Sequence, residues 1–270
     1  RSRAFQSEEF STKWSFLERE IEKKVVVKKG KTMHLILALG YLPSEAYRIQ
    51  TSKNKIVISA SNYAGFYYGI STLIQLIEPQ INKENYEISE GLEIYDAPEF
   101  SYRGMHLDVS RHFFPTDSIL TYIDMLSRYK FNRFHWHLTD DQGWRIEIKK
   151  YPLLTQIGSK RKETMLEKNF NPYKGDGKPV SGFYTQDDIK KIIEYAKVRN
   201  IEVIPEIEMP GHARAAIAAY PFLSCKNDTL PVPTTWGVFD DVYCVNDSTL
   251  NIMFNILTEV MALFPSRLIH

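Results

Sequence analysis

The period of the apolar positions changes near residue 100. Before Pro98 they fall in short runs, at Val25–Val27, His34–Leu39, Tyr47–Gln50 and Lys55–Ser59, each of which reads as a strand. Lys23-Lys24 and Lys28-Lys29 flank the first run, as charge does on a protected edge strand. A helix is predicted next, capped by Ser61 or Asn62, with Phe66, Ile70, Leu73, Ile74 and Ile77 at helical spacing and Pro79 closing it. Gly65 and Gly69 lie one turn apart in that helix and predict close packing on the strands. The pattern gives a small α/β domain over residues 1–98.

From Phe100 the order becomes strand, loop, helix, strand. Gly104–Val109 is a predicted strand. Thr116 or Asp117 then caps a helix facing inward through Ile119, Leu120, Ile123, Leu126 and Tyr129. Phe131–Leu138 is the second strand, with Phe134, Trp136 and Leu138 alternating against His135 and His137. A long loop follows, through Pro172, Gly175, Gly177, Pro179 and Gly182. Thr185, with Asp188 three residues on, then opens a helix buried through Ile189, Ile192, Ile193 and Ala196. Ile201–Ile207 is the third strand. Asp247 or Ser248 caps a further helix facing inward through Leu250, Phe254, Leu257 and Val260, and Arg267–His270 begins a fourth strand. Alternating strands and helices predict parallel βα units over residues 99–270, in a barrel or a doubly wound sheet.

Polar residues decide between the two. Three clusters, Asp108–His112, Asp140–Trp144 and Glu206–His212, each follow the C-terminal end of a strand. A (β/α)8 barrel places its site there on several strands, whereas an open sheet binds chiefly at one switch point. No glycine-rich phosphate loop follows any of these strands, which argues against a nucleotide fold.

Overall charge narrows the partners. Lys and Arg total 34 against 33 Asp and Glu, so no basic footprint for nucleic acid or an acidic membrane is present. No apolar run reaches transmembrane length, and Arg1–Phe5 is not a signal peptide. Cys225 and Cys244 share one irregular segment, as two free thiols in a reducing compartment or as a disulfide in an oxidising one.

Within the clusters, Asp140-Asp141-Gln142-Gly143 is either a solvated turn or a set of polar groups delivered to one place. Adjacent acids are costly to desolvate, and a neighbouring aromatic such as Trp144 can face the C–H surface of a sugar whose hydroxyls the acids take. Strand alternation sends Asp140 and Asp141 in different directions, so one of them faces the pocket. Arg111 offers a planar fork for hydroxyls or a carboxylate, or a structural ion pair with Asp108 or Asp140. The Pro210-Gly211 turn can fold His212 back toward Glu208, fixing its tautomer, or leave it a satisfied turn histidine. His135 and His137, with His212, form a His-x-His arrangement open to a metal ion.

Tyr102–Phe114, His135–Trp144 and Pro205–His212 together resemble the glycoside hydrolase family 20 β-N-acetylhexosaminidases. Glu45–Arg48 and Gly65–Gly69 resemble that family's accessory α/β domain. The resemblance implies a (β/α)8 barrel that removes terminal N-acetylglucosamine or N-acetylgalactosamine from glycans without metal or cofactor. The substrate's own acetamido oxygen is the nucleophile, one of the exceptions to the two-carboxylate rule. It implies that Arg111 binds the outer hydroxyls of the terminal sugar and that Asp140 orders the pocket floor. His212, paired with Glu208, supports the catalytic acid; the family usually has Asp where Glu208 stands. The implied catalytic Asp-Glu pair follows strand four in a His-x-Gly-Gly-Asp-Glu run, of which His270 matches the first residue. The chain is thus expected to hold the accessory domain and about four βα units, to need the remaining half of the barrel, and to be inactive alone. Such enzymes imply an extracytoplasmic location and a Cys225–Cys244 disulfide. Two other classes stay open: a metal-dependent hydrolase using His135, His137 and His212, and a carbohydrate-binding half-barrel without chemistry.

Overall fold

Strands with period-two burial build the first layer. The computed structural model describes residues 34–77 and 88–270, together with Thr12, Lys13, Ser15, Phe16 and Arg19. Two compact units result. One comprises the described residues up to Arg103 with Ser127–Lys130 and Val198–Asn200; the other comprises Gly104–Leu126, Phe131–Lys197 and Ile201–His270.

The first unit contains β1 (His34–Leu39), β2 (Tyr47–Ser52), β3 (Lys55–Ala60), helix α1 (Tyr63–Ile77) and β4 (Glu93–Asp96). The sheet order is β1-β3-β2-β4, with β1 parallel to β3 and the other pairs antiparallel. Tyr47 and Ile49 of β2 and Ile56, Ile58 and Ala60 of β3 are buried, as alternation requires. Helix α1 covers this face with Phe66, Ile70, Leu73 and Ile77. Its cap is Asn62, whose Oδ1 accepts from the Gly65 amide at 3.0 Å. A Cβ on Gly65 would stand 2.4 Å from the Ala46 carbonyl oxygen, and one on Gly69 would stand 2.7 Å from Ile58 Cγ2. Both glycines therefore let the helix backbone approach the sheet. Strand β4 escapes sequence reading because its four residues carry little apolar signal; pairing with β2 defines it. The expected strand at Val25–Val27 and the expected stop at Pro79 lie outside the described residues.

The second unit runs β5 (Gly104–Asp108), α2 (Thr116–Arg128), β6 (Arg133–His137), β7 (Thr139–Asp140), β8 (Gly143–Trp144), α3 (Leu153–Gln156) and β9 (Lys160–Arg161). It continues with β10 (Met165–Phe170), β11 (Tyr173–Gly175), β12 (Val180–Ser181), α4 (Gln186–Lys197), β13 (Glu202–Glu206), α5 (Arg214–Ala219) and α6 (Asp247–Leu263). Strands β13, β6 and β5 form a parallel sheet in that order. The register aligns His106 with His135, and it aligns Asp108, His137 and Glu206 in one row at the C-terminal ends. Phe134, Trp136 and Leu138 are fully buried with the helices, so His135 and His137 stand on the opposite face.

Thr185 and Asp188 form a reciprocal cap on α4. The Thr185 hydroxyl donates to Asp188 Oδ2 at 2.6 Å, and the Asp188 amide donates to Thr185 Oγ1 at 3.1 Å. Ile189, Ile192, Ile193 and Ala196 are buried below it. In α2, Ile119, Ile123 and Leu126 are buried, but Tyr129 lies past the helix end and is exposed. Helix α6 differs more. Its cap is Asn246, which accepts from the Thr249 amide, rather than Asp247 or Ser248. Its buried face is Ile252, Met253, Ile256 and Val260; Leu250 and Phe254 are exposed. Two apolar stripes fit helical spacing in this helix, and packing selects one of them.

The loop after β6 is also more ordered than its glycines and prolines suggest. It contains the antiparallel hairpin β10–β11 and the β9–β12 pair. The expected strand at Arg267–His270 is reduced to one rung. His270 donates to the Pro205 carbonyl at 2.9 Å and accepts from the Ile207 amide at 2.9 Å, beside β13. A disulfide joins Cys225 to Cys244. No described helix is long and apolar enough to cross a membrane.

Candidate active site

The ends of β5, β6 and β13 deliver their polar side chains to one region, and Asp140 is its centre. Asp140 and Asp141 are each 1% exposed. Arg111 Nη2 stands 2.6 Å from Asp140 Oδ2, and its Nη1 stands 2.8 Å from Asp108 Oδ2. His137 Nε2 meets the same Asp140 oxygen at 2.9 Å. The other oxygen, Oδ1, accepts from the Asp141 amide at 2.7 Å and lies 3.0 Å from His212 Nδ1. Arg111, Asp140 and His212 thus meet at a single carboxylate. A buried carboxylate whose two oxygens are both taken by nitrogen groups fixes each partner's direction. Asp108 also accepts from the Ser110 and Arg111 amides, which anchors the turn carrying Arg111. The Arg111 side chain remains 41% exposed, so its fork is open to a ligand.

His212 departs from expectation. Its Nδ1 hydrogen-bonds Asp141 Oδ2 at 3.2 Å as well as contacting Asp140, in place of the expected hydrogen-bonded pairing with Glu208. The left-handed backbone at His212, φ 50°, turns the ring away from its own loop to the loop after β6. Asp140 and Asp141 therefore both reach the site, because the chain turns between them rather than continuing as a strand. Asp141 Oδ1 accepts from the Arg214 amide at the start of α5, which ties the two loops together.

A second carboxylate, Glu206, gathers histidines below. His137 Nδ1 lies 3.1 Å from Glu206 Oε1, so His137 bridges Glu206 and Asp140. Burial works against its charge, but the Asp140 hydrogen bond and the charges of Asp108, Glu206 and Asp140 win, and its pKa is raised. His135 Nε2 is 2.6 Å from Glu206 Oε2, off a hydrogen-bonding direction, and burial lowers its pKa despite Glu206. His106 Nε2 is 3.3 Å from the same oxygen. Burial raises the Glu206 carboxyl, but His137 and His135 outweigh it and hold it low. Glu208 is raised, by burial and by its hydrogen bond with Glu206, against the opposing charge of His212. The Glu208 amide donates to Thr139 Oγ1 at 2.9 Å, and Glu208 also feels the charge of His212.

The three histidines of the alternative metal-dependent reading do not share one set of acids: His135 lies against Glu206, His137 against Glu206 and Asp140, and His212 against Asp140 and Asp141. Among the described residues, side-chain atoms near enough to hold a cation occur in three sets: His106, His135 and Glu206; His137, Glu206 and Glu208; Asp140, Asp141 and His212.

Trp144 is 2% exposed and donates to the Ile146 carbonyl, so it supports the loop from behind and does not face a sugar. Sequence reading also left Arg145 without a role. It is fully buried and donates to the carbonyls of Val109, Ser110, Ser159 and Gly182. Burial, and after it the charge of Arg161, lowers its pKa to about 10, which leaves it protonated at neutral pH. Arg161 in turn donates to the carbonyls of Gln142 and Arg111. Two buried arginines thus hold the site loops by their backbones, and no periodic or motif signal in the sequence marks them.

The chain matches the catalytic domain of glycosyl hydrolase family 20 over residues 100–270 and domain 2 of that family over residues 6–97. The chain belongs to glycosyl hydrolase family 20. It is 45% identical over 234 residues to a β-hexosaminidase of Porphyromonas gingivalis, covering 85% of this chain and 29% of that protein. A β-N-acetylhexosaminidase structure from Bacteroides fragilis matches with TM-score 0.76 and 39% identity, covering 93% of this chain and 48% of that one. The Streptomyces plicatus N-acetyl-β-hexosaminidase matches with TM-score 0.80 and 34% identity, covering 97% of this chain and 52% of that one. The chain therefore spans about half the solved structures' length and less than a third of the Porphyromonas protein's. Its parallel strands and helices are βα units of the family 20 α/β barrel, preceded by the family's small domain.

Proposed function

We propose that this family 20 chain contributes the substrate-binding side of an exo-β-N-acetylhexosaminidase that releases terminal N-acetylglucosamine or N-acetylgalactosamine from glycans. The meeting of Arg111, Asp140 and His212 at one buried carboxylate carries this reading. Arg111 is held from behind by Asp108 and Asp140 and presents its exposed edge to the outer hydroxyls of the terminal sugar. Asp140 fixes the pocket floor. His212, held by Asp140 and Asp141, and Glu208 beside Glu206 support the catalytic acid. A mutant Streptomyces plicatus β-hexosaminidase holds GlcNAc as product, and an exo-β-N-acetylglucosaminidase from Vibrio harveyi holds N-acetylglucosamine, which supports the substrate class. A further relative from Vibrio harveyi is an N,N'-diacetylchitobiase.

The chemistry is substrate-assisted and retaining. The acetamido oxygen attacks the anomeric carbon as the glycosidic bond breaks, and the leaving oxygen takes the acid's proton. Water then opens the oxazolinium-like intermediate, returning a proton to the same residue. The acid and the acetamido-orienting aspartate are assigned to an Asp-Glu pair beyond His270 in the complete polypeptide. None of residues 1–270 is given either role. An extracytoplasmic location fits the Cys225–Cys244 disulfide, since such bonds persist in oxidising compartments.

The test is hydrolysis of a chromogenic N-acetylglucosaminide by the complete polypeptide and by residues 1–270 alone. Turnover by the first and none by the second is expected. Turnover by a species whose mass is that of residues 1–270 would overturn the assignment of the acid. Activity that survives a chelator is expected as well; its loss, restored by zinc, would favour the metal-dependent reading.

A further inference from the structure

Histidines and one acid gather on the face of the β13-β6-β5 sheet turned away from the helices. The register sets His106 of β5 directly beside His135 of β6, and Glu206 of β13 lies two residues past the same row. Glu206 Oε2 stands 2.6 Å from His135 Nε2 and 3.3 Å from His106 Nε2. The three side chains offer ligand atoms that all lie within 4.8 Å of one another. The His106 and His135 rings meet edge-on, with centroids 4.8 Å apart at 89°. His270 flanks them, its ring 4.5 Å from that of His135 and its Nδ1 3.7 Å from Glu206 Oε1.

Two of these atoms are unmet. His135 Nε2 and Glu206 Oε2 are buried without a hydrogen-bond partner, although they nearly touch. Buried polar atoms are rarely left so. A shared proton does not satisfy this pair, because the approach is off a hydrogen-bonding direction. A cation does: imidazole nitrogen and carboxylate oxygen are the ligands of borderline divalent metals such as zinc. Donors around a tetrahedral zinc stand about 3.3 Å apart, which is the His106–Glu206 spacing; the His135–Glu206 pair opens by about 0.7 Å to match. The other two sets of possible ligands are already engaged. Asp140 is held by Arg111 and Asp141 by the Arg214 amide, while His137 uses both nitrogens, on Asp140 and Glu206. Its contact with Glu206 is to Oε1, so an ion on Oε2 leaves it intact.

We infer that His106, His135 and Glu206 form a divalent-metal site of the zinc type, with His270 beside the fourth position. The ion ties β5, β6 and β13 together and takes no part in the chemistry. The site stands on its own ligands and does not rest on the hexosaminidase reading.

The experiment uses the complete polypeptide without an affinity tag, stripped of metal and titrated with zinc chloride. One equivalent should bind, and at about a hundredfold excess over Kd the melting temperature should rise by at least about 3 °C. His106→Ala should weaken binding at least about tenfold and remove the rise. Hydrolysis of a chromogenic N-acetylglucosaminide by that variant should stay within about twofold of the unmodified protein. His106→Cys restores a ligand, so it should bind zinc again. With cobalt(II) it should show a thiolate-to-metal absorption band that the unmodified protein lacks, which separates ligation from a folding defect. No saturable zinc binding by the unmodified protein, equal binding by His106→Ala, or a His106→Cys variant without the band would overturn the site. Loss of hydrolysis together with the zinc in His106→Ala would overturn the ion's separation from the chemistry. A failed zinc titration leaves the hexosaminidase reading intact, since hydrolysis by the unmodified protein is measured separately.

Discussion

At the scale of residues, the site is organised by charge sharing. Asp140 receives Arg111 and His137 on one oxygen and the Asp141 amide and His212 on the other. Replacing Arg111 by Ala leaves Asp140 with one cation fewer and, on the proposed function, the sugar without its fork. In the complete polypeptide it should cut kcat/KM by at least about tenfold, the scale of one charged hydrogen bond. Steady-state kinetics check this, and an unchanged efficiency would remove Arg111 from the site. His137 makes a pH prediction. Its folded pKa is raised, so its pairing contributes fully below the unfolded value of about 6.5 and is lost as pH rises through the folded value. The opposite sign holds for Glu206, whose contribution disappears as pH falls through its depressed folded pKa. Melting curves from pH 5 to 9 should therefore show the unmodified protein losing its advantage over His137→Gln toward the alkaline end. A constant difference across that range would refute a charged His137.

At the scale of elements, caps and faces make sharper statements than propensity. The Thr185–Asp188 pair closes the N-terminus of α4 from both sides. Thr185→Ala should cost about 1 kcal/mol, read from denaturant unfolding, and Asp188→Ala should cost a similar amount. Helix α6 offers a contrast between its two apolar stripes. Ile256 is fully buried while Phe254 is 67% exposed. Ile256→Ala should cost about 2–5 kcal/mol, whereas Phe254→Ala should stay within about 0.5 kcal/mol. Comparable losses at the two positions would mean that a partner covers the Phe254 stripe in solution.

At the scale of the whole molecule, long loops carry the candidate site residues and are held by devices with no periodic signal. The Cys225–Cys244 bond closes the loop after β13 next to Tyr243, whose amide donates to the Pro210 carbonyl in the turn that presents His212. Reduction should lower stability by about 3 kcal/mol in the chain-entropy account and loosen that turn. Thermal melts with and without reductant measure the first effect. Kinetics of the Cys225→Ser variant, expected to show reduced kcat/KM, measure the second. On the same scale, β5 is an edge of the three-stranded sheet with Met105 exposed, and α6 leaves Leu250 and Phe254 in water. Surfaces of this kind favour association, so residues 1–270 should self-associate more than the complete polypeptide in light scattering.

The sequence by itself determined the α/β class, the order of the main strands and helices in the second unit, the buried face of α4, that of α2 apart from Tyr129, and the three clusters after β5, β6 and β13. Those follow from local rules, namely side-chain alternation, helical spacing and capping, which act over a few residues. It did not determine β4, whose pairing with β2 is its whole basis, or the inward face of α6, where two apolar stripes were equally periodic. Nor could it say which acid His212 would meet. A left-handed turn at His212 and the chain reversal after Asp140 decided that, and both Asp140 and Asp141 reached the ring across a gap of some seventy residues. Trp144, a sugar-facing aromatic by sequence, became a loop support, while Arg145 and Arg161, silent in sequence, came to hold the loops through backbone carbonyls. Long-range pairing chooses among locally equivalent partners by burial and by the cost of leaving a buried polar group unmet, and only the folded chain contains that comparison.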